Sequence, residues 1–308
     1  MSSESLLTTK ITTTLTTPLV IYHGTGCLDG FGSAYAAYCF FHKKKTVSAQ
    51  YVAASHGDEP PNVMGREVYI VDFSYKRDVL SSICEKASKV VILDHHESAQ
   101  KELSGLDEIY SNLTVIFDMN RSGAVITWEY FHDEQAPALL AHIQDRDLWQ
   151  FKIPDSKHVN AALMSYPSTF ELWDEFAYGV DHLKTLIAEG RAINRFRNKM
   201  IEHYKRRVVY GTIAGFEVPI VSCPSFINSE LLSELAIGQP FAASYSDHTL
   251  GAGNAQRGWS LRSAVEGENV ANIASRFGGG GHPRAAGFST AISDVVFVVE
   301  PEPKPNGF

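Results

Sequence analysis

A chain of 308 residues is long for one domain and suits two of roughly 100–200 residues each. Its 44% hydrophobic and 20% charged content is that of a globular protein with a sizeable core, which excludes a disordered chain. With 27 Lys and Arg against 35 Asp and Glu, the net charge of −8 argues against a protein that coats long nucleic acid, yet leaves room for a small anion held by a few local cations.

Residues 1–17 (MSSESLLTTKITTTLTT) form a Ser/Thr-rich segment expected to be flexible, and with one Lys and no Arg they make a poor organellar transit peptide. From position 18 short β-rich runs alternate with amphipathic stretches, the pattern of βαβ units around a parallel sheet, so the fold class is α/β. The runs at 18–24 (PLVIYHG), 67–74 (EVYIVDFS), 89–97 (KVVILDHHE) and 114–120 (TVIFDMN) are short and β-branched and read as buried strands. Helices are predicted at GSAYAAYCFFHKK and KRDVLSSICEKA, and again at PALLAHIQDRDLW. A long helix over 180–207, with Ile193, Phe196, Met200 and Tyr204 three or four apart, connects to a smaller α/β unit. That unit has strands within 208–222, at FAASYS and at GWSLRSA, a helix at NSELLSELAI, and a helix VANIASRF that runs into four glycines. The expected division is a parallel-sheet domain over 18–175, a helical linker over 176–207, a second domain over 208–300 and a polar tail over 301–308.

Cys27, Cys39, Cys84 and Cys223 are widely spaced, which favours reduced thiols over a disulfide framework and a cytoplasmic location. No run reaches the ~18 apolar residues of a membrane helix, so no membrane partner is expected. The basic run RAINRFRNKMIEHYKRR reads first as a solvated helix face.

The four strands of the first domain end in His23, Asp72, Asp94 and Asp118, and in an open parallel sheet those ends face one crevice. Crowded carboxylates and imidazoles repel or stay protonated unless a cation sits among them, so a metal site is the favoured reading. The Gly-rich loop HGTGCLDGFGS adds Cys27 and Asp29 to His23. Asp72, Asp94, His95 and Asp145 then supply more ligands than one ion uses, which suggests two metals sharing a carboxylate. Asp118 reads equally well as a helix cap, His142 as a packed histidine, and Asp147 as a structural partner of Arg146. In RFGGGGHPRAAGF (276–288) the glycines leave backbone N–H groups open to a ligand, and His282 and Arg284 can meet an anion; Arg262 in WSLRSA can fork onto a phosphate.

The DHH at 94–96, the H-x3-C-x-D-G of His23 to Gly30, the Asp72 strand and the GGGGH of the second unit together resemble the DHH/DHHA1 phosphoesterases, among them RecJ-type exonucleases, nanoRNases and cyclic-dinucleotide phosphodiesterases. The resemblance spans about 18–290. It implies a Rossmann-like DHH domain joined by a long helix to a smaller DHHA1 domain. It implies one metal on His23, Cys27 and Asp72 and another on Asp29, Asp72, His95 and Asp145, with Asp72 bridging. His96 would face the scissile phosphate, Asp94 would orient its neighbours, and a metal-bridging water would attack. Arg262, Gly279, Gly280, Gly281, His282 and Arg284 would hold the substrate across the cleft. Manganese is the cation the resemblance implies, but many relatives carry Asp where this chain has Cys27, and a soft thiolate suits zinc, cobalt or iron better.

The expected activity is therefore metal-dependent hydrolysis of short oligonucleotides or dinucleotides. A 3′,5′-bisphosphonucleotide phosphatase and a non-catalytic nucleotide sensor are the alternatives, and pairing into a homodimer is an expectation from relatives alone.

Overall fold

The computed structural model describes residues 17–24, 26–45, 47–250 and 254–297. The segment before residue 17 and the tail after 300, both read from sequence as non-globular, lie outside these residues.

Strands β1 (Leu19–His23), β2 (Gln50–Ala54), β3 (Glu67–Val71), β4 (Lys89–Asp94) and β5 (Leu113–Phe117) form a wholly parallel sheet in the order β2-β1-β3-β4-β5. Alternate residues of these strands enter two separate cores, as the period of two requires. Leu19, Ile21, Val68, Ile70, Val90 and Ile92 pack with Leu80 and Ile83 of helix α2 (Arg77–Lys86). On the other face Val20, Tyr69, Val71, Val91 and Leu93 pack with Ala37 of α1 (Leu28–Tyr38) and with Ile126 and Phe131 of α5 (Gly123–Phe131). A sheet covered on both faces needs continuous apolar strands, which is why these runs lack the alternation of a half-exposed strand. The edge strand β2 carries no such run; only its last residue, Ala54, is buried, and the sequence reading omitted it.

Between β4 and the second sheet come α3 (Glu97–Leu103), α4 (Leu106–Ile109), α5, α6 (Ala138–Asp147), α7 (Ser156–Leu163), α8 (Phe170–Tyr178) and the 24-residue α9 (His182–Lys205). The first predicted helix begins earlier than expected, at Leu28, and its last six residues, Cys39–Lys44, are π-helical. The long helix is present, and Met200 and Tyr204 of the expected stripe pack beside Ile201 against a core of the second unit, but Leu186, Gly190 and Arg197 are also buried and Phe196 is 62% exposed. Two contacts set the rotation of the helix. A Cβ at Gly190 would lie 1.8 Å from the His158 carbonyl oxygen, so α9 meets α7 there backbone to backbone, and Arg197 reaches the Phe226 carbonyl and the Glu230 carboxylate.

The second sheet comprises β6 (Val209–Ile213), β7 (Phe216–Ser222), β8 (Ala242–Leu250), β9 (Asn254–Arg262), β10 (Gly280–His282) and β11 (Ala285–Ala291), in the order β10-β11-β9-β8-β7-β6. It is mixed: β7 and β8 run parallel and the other pairs antiparallel. Helices α10 (Ser225–Leu235) and α11 (Val270–Ser275) complete the unit, and both supply buried residues to its cores. Among the described residues no helix is long and apolar enough to cross a membrane.

Candidate metal centre

Strand order reverses at β1, whose neighbours are β2 on one side and β3 on the other. At such a switch point the connections leave in opposite directions and open a crevice at the carboxyl ends of the strands. His23 ends β1, Asp72 follows β3, and Asp94 ends β4, so the crevice is lined from three adjacent strands.

The loop after β1 turns directly into α1, with Cys27 as N-cap, its Sγ accepting from the Gly30 N–H at 3.3 Å. Gly30 has to be glycine: a Cβ there would lie 2.0 Å from the His23 carbonyl oxygen. That close approach brings Asp29, in the first turn of α1, under the strand ends. Its Oδ2 accepts from the Gly123 N–H at 2.6 Å and its Oδ1 from the Ala124 N–H at 3.1 Å, both donors at the start of α5. Free N–H groups at a helix start are natural partners for a carboxylate.

Asp72 occupies the middle. Its φ of 51° lies in the left-handed region, uncommon outside glycine, and its N–H is fixed to the Leu93 carbonyl at 2.9 Å. One oxygen, Oδ2, faces His23 Nδ1 at 3.6 Å and the Cys27 thiol, which donates at 3.4 Å. The other, Oδ1, lies 3.1 Å from His95 Nε2. The same His95 nitrogen is 3.5 Å from Asp147 Oδ2 and 3.6 Å from Asp29 Oδ2, while the buried Nδ1 has no hydrogen-bond partner. Asp94 stands behind. Its Oδ2 accepts from Ser74 Oγ at 2.7 Å, and its Oδ1 meets the His95 N–H at 2.7 Å and His96 Nδ1 at 2.7 Å, which fixes the two histidines against each other.

The charges are unbalanced. Burial and the neighbouring acids Asp72 and Asp147 push Asp29 well above the usual carboxylate range. Burial, followed by Asp72, Asp147 and Asp29, does the same to the Cys27 thiol. Burial opposes ionisation of Asp72 too, but hydrogen bonds with His23 and His95 outweigh it and hold this acid low. Burial also disfavours the His95 imidazolium, yet Asp72, Asp147 and Asp29 push it to about 10. In effect His95 and shared protons hold together a set of groups whose chemistry is that of metal ligands. Four groups of donor atoms lie close enough to hold an ion, overlapping in their residues: His95, His96 and His282; Asp72, Asp94 and His96; His23, Cys27 and Asp72; and Asp29, His95 and Asp147.

The last group corrects the reading of the QDRDLW segment. Asp145, expected as a ligand, is buried, but accepts from the Lys152 N–H at 2.7 Å and the Ile153 N–H at 3.0 Å, tying down the turn after α6. Asp147, expected to be structural, faces His95. Two residues apart on a helix is about 200° of rotation, so only one of the pair can face the crevice. Asp118 stays outside, accepting from Asn120 N–H at 2.8 Å and from Arg121 Nε at 2.8 Å.

From the second sheet His282 enters the crevice, its ring centroid 4.8 Å from His96 and 5.0 Å from His95. Burial and the two facing histidines push it down to about 3, so it is a neutral imidazole. Gly280 packs on the helix that follows the DHH residues, where a Cβ would lie 3.3 Å from Ser98 Oγ. The rest of the glycine run does less than the sequence suggested. The Gly279 N–H caps α11 through the Ala274 carbonyl at 3.0 Å, which also accepts from the Phe277 N–H at 2.9 Å, and Gly280 and Gly281 pair with Gly287 and Ala286 in the sheet. Arg284 points its donors at the carbonyls of Ala264, Val265 and Gly267, and so closes a loop instead of presenting a free fork to an anion. Arg262 donates to the Leu261 carbonyl and to Ser229 Oγ, both at 2.8 Å. His56, which follows β2 and was not singled out in the sequence, has its ring 6.1 Å from that of His23 and 5.2 Å from that of Phe73.

No protein-family model matches the chain. An uncharacterised protein of Acanthamoeba polyphaga mimivirus is 31% identical over 289 residues, which cover 88% of this chain and 67% of the viral protein. Among solved structures, the DHH domain of a member of a family of ribosomal proteins superposes with a TM-score of 0.55 at 11% identity, over 88% of this chain and 82% of that one. A pGpG-specific phosphodiesterase from Vibrio cholerae is similar over 90% of this chain and 94% of its own at 14% identity, with a TM-score of 0.41.

Proposed function

We propose that the chain, which is of one family with the mimivirus protein and has the fold of a DHH domain, is a DHH/DHHA1 metal-dependent phosphoesterase acting on short oligonucleotides or dinucleotides. The observation that carries the reading is the position of Asp72, whose two oxygens face two separate donor groups, one containing His23 and Cys27 and the other containing Asp29, His95 and Asp147. A buried carboxylate between two ligand sets is the arrangement a shared pair of cations needs. His23, Cys27 and Asp72 would hold one ion, and Asp29, Asp72, His95 and Asp147 the other. When bound, the ions would supply charge to polarise a phosphate ester and acidify water.

The remaining residues have parts that follow from their contacts. Asp94 positions both histidines, through His95 N–H and His96 Nδ1, and Ser74 in turn fixes Asp94. His96, raised in pKa by Asp94 against the cost of burial, can meet an anionic phosphate oxygen or give a proton to a leaving oxygen. His282 closes the opposite side as a neutral ring. Cys27 is the unusual ligand, since a thiolate favours zinc, cobalt or iron over the manganese that an all-carboxylate and imidazole site would take.

The test is hydrolysis of a matched panel: a 5′-phosphorylated dinucleotide, a longer single-stranded RNA, a cyclic dinucleotide and a 3′,5′-bisphosphonucleotide, each with Mn²⁺, Co²⁺ or Zn²⁺. Asp72→Ala should abolish turnover and bound metal together, and Cys27→Ala should lower metal content. Nucleotide binding without turnover of any substrate under any of these metals would overturn the enzyme reading.

A further inference from the structure

Two aromatic residues stand in a backbone conformation that bulky side chains avoid. Trp149 (φ 55°) and Phe151 (φ 51°) lie in the left-handed region, where the Cβ of an L-residue crowds the following carbonyl oxygen. The other non-glycine residues there, among those described, are three aspartates and Ala214, all small. The turn after α6 enforces the strain. The Trp149 N–H donates to the Arg146 carbonyl at 2.9 Å, and the Asp145 carbonyl accepts from the N–H groups of Gln150 at 2.9 Å and Phe151 at 3.2 Å. The Asp145 carboxylate takes the next two, from Lys152 and Ile153. Each N–H from Trp149 to Ile153 is thus held by Asp145 or Arg146, and the loop is fixed.

Within this frame the two rings part. Phe151 is half-buried, with Lys157 Nζ 4.5 Å over its face. Trp149 meets the Phe151 ring edge-on, centroids 4.9 Å apart, and is 40% exposed, whereas the other three tryptophans, Trp128, Trp173 and Trp259, are buried. A single exposed aromatic is ordinary on a protein surface. One held outward by a strained backbone is not, because such strain persists only where the surroundings enforce it, and it gathers at functional sites. Trp149 also stands beside the proposed centre. It follows Asp147 by two residues, so their Cα atoms are at most about 7.6 Å apart, and Arg146 and Asp147 line a cavity of about 90 Å³ with Cys27 and Asp29.

We propose that Trp149 is a substrate-binding residue whose exposed indole stacks on the nucleobase of a nucleotide with its phosphate at Asp72. The proposal rests on the phosphoesterase reading and deepens it: what is recognised is a nucleotide, not any phosphate ester. A base lies one sugar away from its phosphate, which matches an aromatic two residues from a metal-facing acid. Every base has a π-face, so stacking adds affinity without selecting sequence. The fixed loop presents the ring already oriented, which spares the ordering cost of binding.

The experiment titrates the metal-loaded protein with AMP and with ribose 5-phosphate, which shares the sugar and phosphate but lacks the base. Tryptophan fluorescence and calorimetric affinity are the readouts, with KM for a 5′-phosphorylated dinucleotide as a third. AMP should quench the exposed tryptophan and ribose 5-phosphate should not. Trp149→Ala should weaken AMP, and raise the KM of the dinucleotide, by about 5- to 150-fold, the range of one base–aromatic stack. Ribose 5-phosphate affinity should stay within about twofold, metal content should not change, and Trp149→Phe should recover most of the loss. Equal losses for AMP and ribose 5-phosphate, or AMP binding that neither quenches the wild type nor depends on Trp149, would overturn the assignment while leaving the enzyme reading intact. Absence of turnover in the wild type would instead strike that earlier reading, and the AMP titration would still decide the stacking.

Discussion

Gly123 separates the proposed centre from an ordinary buried acid cluster. It begins α5 and its N–H donates to Asp29 at 2.6 Å, but its lack of a side chain matters more. A Cβ at this position would lie 2.5 Å from Asp72 Cβ, 2.8 Å from its Oδ1 and 2.9 Å from its Cα. Comfortable carbon contacts are about 3.5–4.0 Å, so Gly123→Ala requires a shift near 1 Å. Asp72 cannot yield easily, because its N–H is bonded to Leu93 and its two oxygens are engaged on opposite sides. Overpacking of this kind costs about 1–3 kcal/mol, or about 2–4 °C of Tm per kcal/mol in a chain of this class. Gly190→Ala is the control: its Cβ would lie 1.8 Å from the His158 carbonyl oxygen, between α9 and α7. Both variants should lose stability, but only Gly123→Ala should lose metal, measured by elemental analysis after dialysis against limiting metal. Full metal content in Gly123→Ala, at a Tm as low as that of Gly190→Ala, would refute the bridging role given to Asp72.

Two further outcomes follow from the same geometry. Asp145→Ala should lower Tm, at about 1.5–3 kcal/mol for each hydrogen bond to the carboxylate that is lost, without changing metal content, whereas Asp147→Ala should remove metal with little loss of Tm. The reverse pattern would restore Asp145 as the ligand. In protein stripped of metal by chelation, His95 contributes stability that is complete below its ordinary value of 6.5 and is lost as pH rises towards about 10. Asp29, raised well above the carboxylate range, contributes in the same sense, its share waning as pH climbs from its ordinary 3.8, while Asp72, held low, contributes only above its ordinary 3.8 and is lost in acid. Tm of the metal-free protein should therefore fall between pH 6.5 and 10, and His95→Gln should flatten that fall; a flat profile in the unmutated chain would contradict the convergence of acids on His95.

The parallel sheet was legible because the buried strands β1, β3 and β4 are written as uninterrupted apolar runs, and because β5 (LTVIF), an edge strand with only Leu113 buried, is still rich in β-branched residues. The strand that escaped, β2 (QYVAA), lies at the other edge with one buried residue and a single β-branched residue, too weak a run to read as a strand. Much of the centre was legible for a related reason: His23, Asp72 and Asp94 each occupy a strand end, and in a parallel sheet strand ends are neighbours whatever the loops do.

Residues on helices lack that guarantee. Whether Asp145 or Asp147 faces the crevice depends on the phase of α6, and one degree of freedom, helix rotation, decides it; the apolar residues Leu139, Leu140 and Ile143 leave the next turn undetermined, and the backbone N–H groups of Lys152 and Ile153 then claim Asp145. The same ambiguity touched α9, where Met200 and Tyr204 were legible on the packed face but Gly190 against α7 and Arg197 bound to Glu230 were not, and Phe196 turned outward. The glycine run after α11 misled differently. Backbone N–H groups that look free in sequence were the cheapest partners for an exposed helix end and an adjoining strand, and the fold used them there. Arg284 misled for the same reason, since an arginine beside a glycine run looks free in sequence, whereas the 264–267 carbonyls take its donors and close a loop.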